Sequence, residues 1–158
     1  MSSAASEASS TAPTHVVTCF LMQRSARGDL VLLVKRSERV RTYRGAWAGV
    51  SGYLEPGVTP LEQAYTEIRE ETGLGRDAVR LLNEGKPLPV EDRAQGLSWV
   101  VHPFLFALDD PAALRTDWEA TDHTWVRPDD LASYATVPML TEAFAHVYPP
   151  PGTADAAP

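Results

Sequence analysis

The stretch that decides the reading is Gly52–Leu74, GYLEPGVTPLEQAYTEIREETGL. Thr59 can cap a helix, and Pro60 suits the first helical position, where a missing N–H costs nothing. Glu62, three residues after Thr59, completes a capping box. Leu61, Ala64, Tyr65 and Ile68 follow at i, i+3, i+4 and i+7, the spacing of a buried stripe. Gly73 followed by Leu74 supplies the stop. The spacing predicts a helix over Pro60–Thr72.

At about 100° per residue, Glu67, Glu70 and Glu71 fall on one flank of that stripe. Neighbouring carboxylates repel one another, and the nearby Arg69 points to another side. A divalent cation with oxygen ligands would neutralise the trio, and Mg²⁺ or Mn²⁺ suits hard carboxylates while keeping water in its shell. Such water has a lowered pKa, and a carboxylate beside it can take its proton. The same ion offsets charge that builds on phosphate oxygens. The trio alone fits an acidic solvated flank equally well. The approach to the helix tips the balance: Gly45, Gly49, Gly52 and Gly57 punctuate it, and glycine lets backbone come close to a ligand.

Outward from this stretch, Thr14–Met22 and Leu30–Val34 are apolar runs joined by a polar turn at Gly28, which predicts a hairpin. Trp47–Leu54 reads as a short strand interrupted by glycines. Val79–Leu82, Leu97–Leu108 and His123–Val126 are further strands, with Asn83–Gly96 a loop or hairpin arm. Pro128–Tyr134 reads as a helical turn and Pro138–Val147 as a closing helix. Mixed strands and few helices point to an α+β fold or a sandwich.

The chain has 158 residues and a net charge of -7, which argues against a stable nucleic-acid partner, since phosphate backbones are held by Lys and Arg. Small phosphorylated ligands stay open to a metal or a local basic cluster. Cys19 is the single cysteine, so no intrachain disulfide forms; it reads as a small buried core residue. Residues 1–13 and 149–158 read as disordered tails around a domain of residues 14–148, without the features of a secretory or mitochondrial leader. No stretch is apolar for long enough to span a bilayer, and the cytoplasm is the default compartment.

Gly52–Leu74 resembles the Nudix box. That pattern is a Gly, five residues, Glu, seven residues, then Arg-Glu-hydrophobic-any-Glu-Glu-any-Gly-hydrophobic. Gly52, Glu67, Ile68, Glu70, Glu71, Gly73 and Leu74 match in register, and Glu55 matches a frequent acidic position. Gly45-Ala46-Trp47 before the box and Trp125-Val126 with Asp130-Leu131 after it extend the likeness over most of residues 14–147. Two positions depart: Val58 stands where the box has its first Glu, and Thr66 where it has Arg. In the family those two lie near each other, and the Arg helps orient the metal-binding carboxylates. Changing both to neutral groups avoids a buried charge without its partner.

The resemblance implies a Nudix-type α/β/α sandwich with a mixed sheet. It implies metal-dependent hydrolysis of a diphosphate linkage in a nucleoside diphosphate derivative or related metabolite. Glu67, Glu70 and Glu71 would be metal ligands, joined by a backbone carbonyl of Ser51 or Gly52. The general base would be a box Glu or a carboxylate from a later loop, where Glu119 and Asp122 are candidates. Arg36 and Arg44, from the basic loop Lys35–Arg44, are the candidates for holding substrate phosphates. Trp47, Trp99, Trp118 and Trp125 read as core packing before base stacking. His15, His102, His123 and His146 share no ligand spacing. The rival readings are a nucleotide-binding module weakened by Val58 and Thr66, and an isoprenoid diphosphate isomerase, for which Cys19 is poorly placed. The chain would act as a monomer or homodimer.

Overall fold

A computed structural model of the chain describes residues 13–40, 42–114 and 122–151. All of the expected N-terminal tail but Pro13, and most of the C-terminal one, lie outside this set. Eight strands form one mixed sheet: β1 (Thr14–Ser25), β2 (Gly28–Lys35), β3 (Trp47–Ala48), β4 (Val50–Tyr53), β5 (Val79–Glu84), β6 (Leu88–Asp92), β7 (Leu97–Leu108) and β8 (His123–Val126). Two helices cover it, α1 (Pro60–Thr72) and α2 (Leu140–Ala145).

β1 and β7 are the spine, paired in parallel from Thr14↔Trp99 to Met22↔Ala107. β1 shares its other edge between two antiparallel partners. Its first half pairs β4, Val17 opposite Gly52, and its last residues pair β2 in the predicted hairpin. β3 leaves β1 altogether and pairs β2, with Lys35 opposite Trp47. The expected strand Trp47–Leu54 is therefore split at Gly49, where the chain crosses from one neighbour to the other. A side chain there would meet Thr18 Cγ2 and the Cys19 carbonyl at about 3 Å. β5 and β6 share the far edge of β7, and β8 pairs β2. The Asn83–Gly96 segment thus holds a strand, the hairpin-arm alternative.

Because β1 is buried on both faces, it reads as a continuous apolar run, with no alternation. Val17, Cys19 and Leu21 face one core with Phe104, Phe106 and the α1 residues Ala64 and Ile68. Phe20 and Met22 face a second core with Leu105, Val101 and the α2 residues Leu140, Ala143 and Phe144. Helix, sheet and helix make the expected sandwich. Local chemistry sets α1 as predicted: the Thr59 hydroxyl accepts from Glu62 N, the Glu62 carboxylate accepts from Thr59 N, and Gly73 closes the helix at φ 78°. α2 is shorter than the predicted Pro138–Val147, because Met139 before it takes a left-handed backbone at φ 65°. No helix among the described residues is long and apolar enough to cross a membrane.

Candidate active site

The capped start of α1 fixes its rotation. Leu61, Ala64, Tyr65 and Ile68 turn into the core, so the row Gln63, Glu67, Glu71, each four residues on, lies along the flank over β4. There Gly52 faces Glu67. A Cβ at Gly52 would fall inside the Glu67 carboxylate, so only glycine lets that side chain lie against the strand.

Glu67 is gripped from two sides. Gln63 Nε2 donates to its Oε2 at 2.9 Å, and Glu71 hydrogen-bonds it from the next turn. Burial pushes the Glu71 carboxyl up to about 9, helped by the hydrogen bond to Glu67 and the charges of Glu67 and Glu70; the positive charge of Arg36 opposes the rise. Two carboxyl groups in contact disfavour the doubly ionised state, and the proton is held more tightly at Glu71. Glu70 is exposed and acts on Glu71 through its charge. The structure thus brings Glu67 and Glu71 into contact and leaves Glu70 beside them. Among the described residues no three His, Cys, Asp or Glu side chains are already gathered as a metal cluster. Ion pairs among the described residues join Arg24–Asp29, Arg80–Asp109 and Arg93–Glu91, and none of these includes Glu67, Glu70 or Glu71. A hard dication in place of the shared proton fits the donor set: it would let both acids ionise, against backbone kept bare by Gly52.

Glu71 also lines a cavity of about 270 Å³. Its other walls are Val34, Lys35, Arg36, Ser37 and Val40 from the end of β2, with Ala48, Gly49 and Ser51 from the crossing strand. Acid on one side and base on the other suits a ligand with phosphate oxygens and a metal between them. The basic loop is braced. Arg36 Nε donates to the Thr42 carbonyl at 3.0 Å, and Tyr43, left-handed at φ 53°, donates its hydroxyl to Asp92 at 2.6 Å. Arg36 lies on the cavity wall, whereas Arg44 is exposed and donates to the Val40 carbonyl at 2.7 Å. The Asp122 carbonyl accepts from Lys35 N at 2.8 Å, which brings Asp122 to the rim of the cavity. Glu119 and Trp118 lie outside the described residues.

Cys19 is nearer the acids than its place in the first strand implies. Its Sγ lies 3.7 Å from the Ala64 carbonyl beneath α1. Burial raises its pKa well above the ordinary thiol value, and the charges of Glu71 and Glu67 raise it further, so it stays a sealed, neutral core residue. Trp47, Trp99 and Trp125 pack against the cores in partial burial, as expected. His15 and His102 sit side by side, Nδ1 to Nε2 at 2.9 Å, a contact made by strand pairing and invisible in linear spacing.

A family model described as NUDIX domain matches residues 13–148. The chain belongs to the NUDIX family. Among its NUDIX relatives is the human 8-oxo-dGDP phosphatase NUDT18, 36% identical over 105 residues, which cover 66% of this chain and 28% of that protein. The mouse counterpart is matched over 21% of its length, so this chain spans only about a quarter of those relatives. The nucleoside triphosphatase NudI of Escherichia coli is 29% identical over 129 residues, 76% of this chain and 86% of NudI. Among solved NUDIX structures, the Ap4A hydrolase of C. elegans superposes with a TM-score of 0.68 at 16% identity, over 85% of this chain and 96% of that one, a likeness of fold.

The residue that sequence reasoning missed is Gln63. It is 2% exposed, and both ends of its amide are engaged. The signal was available: a polar side chain beside Ala64 on the buried flank, four residues before Glu67.

Proposed function

We propose that this chain is a metal-dependent diphosphatase that hydrolyses a phosphoanhydride in a nucleoside diphosphate derivative or related metabolite. One observation carries the reading: Glu71, in contact with the Glu67 carboxylate that lies against Gly52, faces a cavity whose other side is Lys35, Arg36 and Ser37. The volume of about 270 Å³ lies near the low end for small-molecule sites, enough for a diphosphate group with the rest of the substrate outside. The relatives named as nucleotide phosphatases support the substrate class.

Glu67 and Glu71 would hold a divalent cation, Mg²⁺ or Mn²⁺, with Glu70 and the Gly52 carbonyl completing the protein's share. Bound there, the ion supplies water of lowered pKa and neutralises phosphate charge. Arg36 and Lys35 hold the phosphate oxygens from the opposite wall, and Arg44 meets the substrate where it leaves the cavity. Glu70, exposed next to the pair, takes the proton from the attacking water; Glu119 is its rival, and separate Gln substitutions distinguish them by which one removes the acidic limb of kcat. We assign the protein to the cytoplasm, as a monomer or homodimer acting on a small phosphorylated substrate.

A panel of nucleoside diphosphate derivatives and triphosphates, incubated with Mg²⁺ and followed for phosphate or nucleotide release, tests the reading. Turnover of at least one member that stops on chelation is expected. Binding without release, with Mg²⁺ or Mn²⁺ present, would instead identify a nucleotide-binding module.

A further inference from the structure

The box pattern provides a Glu and an Arg to steady its carboxylates, and this chain has Val58 and Thr66 in their places. Neither takes up the work. The Thr66 hydroxyl donates to the Glu62 carbonyl of its own helix at 3.1 Å, and Val58 offers only an apolar side chain. We propose that Gln63 replaces the pair: it is the positioning residue that sets Glu67 for metal binding. The inference rests on the hydrolase reading given above.

Gln63 is built for this. Its Nε2 donates to Glu67 Oε2 at 2.9 Å, and its Oε1 accepts from Glu55 N at 3.1 Å. Chemistry fixes which way the amide points, because a backbone N–H only donates and an ionised carboxylate only accepts. Glu55 lies in the turn that leaves Gly52, so one side chain ties that turn to the carboxylate above it. Both halves of the Glu67 site, backbone and side chain, are thereby held by a single buried group. The same bonds explain why a neutral residue suffices. Among the described residues no buried side-chain nitrogen or oxygen lacks a partner. A doubly bonded amide is at ease in that setting, and it carries no charge that would need a counterion after the pair is gone.

The test uses the full chain and Mn²⁺ alone, titrated by the electron paramagnetic resonance signal of the free ion, alongside steady-state kinetics against Mg²⁺ concentration. Gln63→Met keeps the size of the side chain and removes both bonds. We expect Mn²⁺ affinity to fall ~10- to 100-fold, the usual cost of losing a group that orients a metal ligand. The Mg²⁺ concentration at half-maximal rate should rise by a similar factor, with substrate KM at saturating Mg²⁺ unchanged. Adding Val58→Glu and Thr66→Arg to that variant should recover most of the loss, a rescue that a merely structural role would not show. Should Gln63→Met fail to fold, Gln63→Asn serves, a shorter amide unable to span both partners. Wild-type Mn²⁺ affinity in the variant, or no recovery from the restored pair, overturns the role of Gln63 and leaves the hydrolase reading standing. Wild-type protein that binds no Mn²⁺ removes both.

Discussion

The two faces of the sheet are sealed to a similar degree and finished differently. Under α2, Phe20 meets Phe144 edge-on at 5.1 Å, Phe144 stacks on Tyr148 at 4.9 Å, and the Tyr148 hydroxyl donates to Asp29 at 2.6 Å. Every polar group drawn into that layer finds its partner within the chain. Under α1 the packing is as tight, with Val17, Cys19, Ile68, Phe104 and Phe106 all at 1% exposure or less, yet the rim carries two acids in contact that share a proton. One face is complete as folded. The other draws two acids together at its rim, an arrangement that costs local stability and marks a candidate site.

The largest expected effect breaks the two faces apart. Glu71→Gln should abolish turnover, by about 10³- to 10⁴-fold in kcat, a loss of roughly 4–5.5 kcal/mol of transition-state stabilisation. The metal-free melting temperature should hold or rise, since the Gln amide can donate to Glu67 as the protonated carboxyl does. Turnover at the wild-type rate would sink the assignment. On the other face, Phe144→Ala should cost about 3–5 kcal/mol in chemical denaturation, as deep cavities do, with kcat per folded molecule unchanged.

Acidity sharpens the contrast next. Glu71 sits at about 9, against an ordinary value of 4.5. A carboxyl whose folded pKa is raised contributes stability that is full below the unfolded value and lost as pH climbs through the folded one. Metal-free protein should therefore lose melting temperature between about pH 4.5 and pH 9, by several degrees. Mn²⁺ should restore it most at the alkaline end, and Glu71→Gln should flatten the profile. A metal-free stability that rises across this window would contradict the buried pair.

The smallest effects separate two glycines of one turn. Gly52→Ala drives a methyl into the Glu67 carboxylate and should weaken Mn²⁺ binding ~10- to 100-fold. Gly57 is left-handed at φ 78°, and nothing lies within 4 Å of where a Cβ would stand. Gly57→Ala should cost about 1–2 kcal/mol of stability through backbone strain and leave metal affinity alone. Equal effects on metal binding would remove the special place given to Gly52.

Short-range rules made much of this legible. The cap at Thr59, the stop at Gly73 and the stripe from Leu61 to Ile68 act within a few residues, so the helix and the row bearing Glu67 and Glu71 follow from spacing. The place of Arg36 at the cavity wall is legible because the basic loop follows a recognisable strand. What spacing could not supply depends on residues far apart in the chain. The His15–His102 contact needs β1 beside β7. The depth of Cys19 under the acids needs α1 docked on β1. Glu70 sits on the same flank of the wheel as its neighbours, yet it stays exposed, because a helix resting on a sheet buries only part of each flank.

The parallel pairing of β1 with β7 has a consequence for how the molecule is made. Thr14 and Trp99 are the first partners of a ladder that runs to Met22 and Ala107. On the ribosome, a strand that is apolar on both sides must wait for more than half the chain to be synthesised before its mate emerges. Long-range closure of this kind slows folding and leaves sticky backbone on offer meanwhile. The hairpin with β2, complete within a dozen residues of Met22, pairs the last residues of β1 early and gives the nascent strand its first partner.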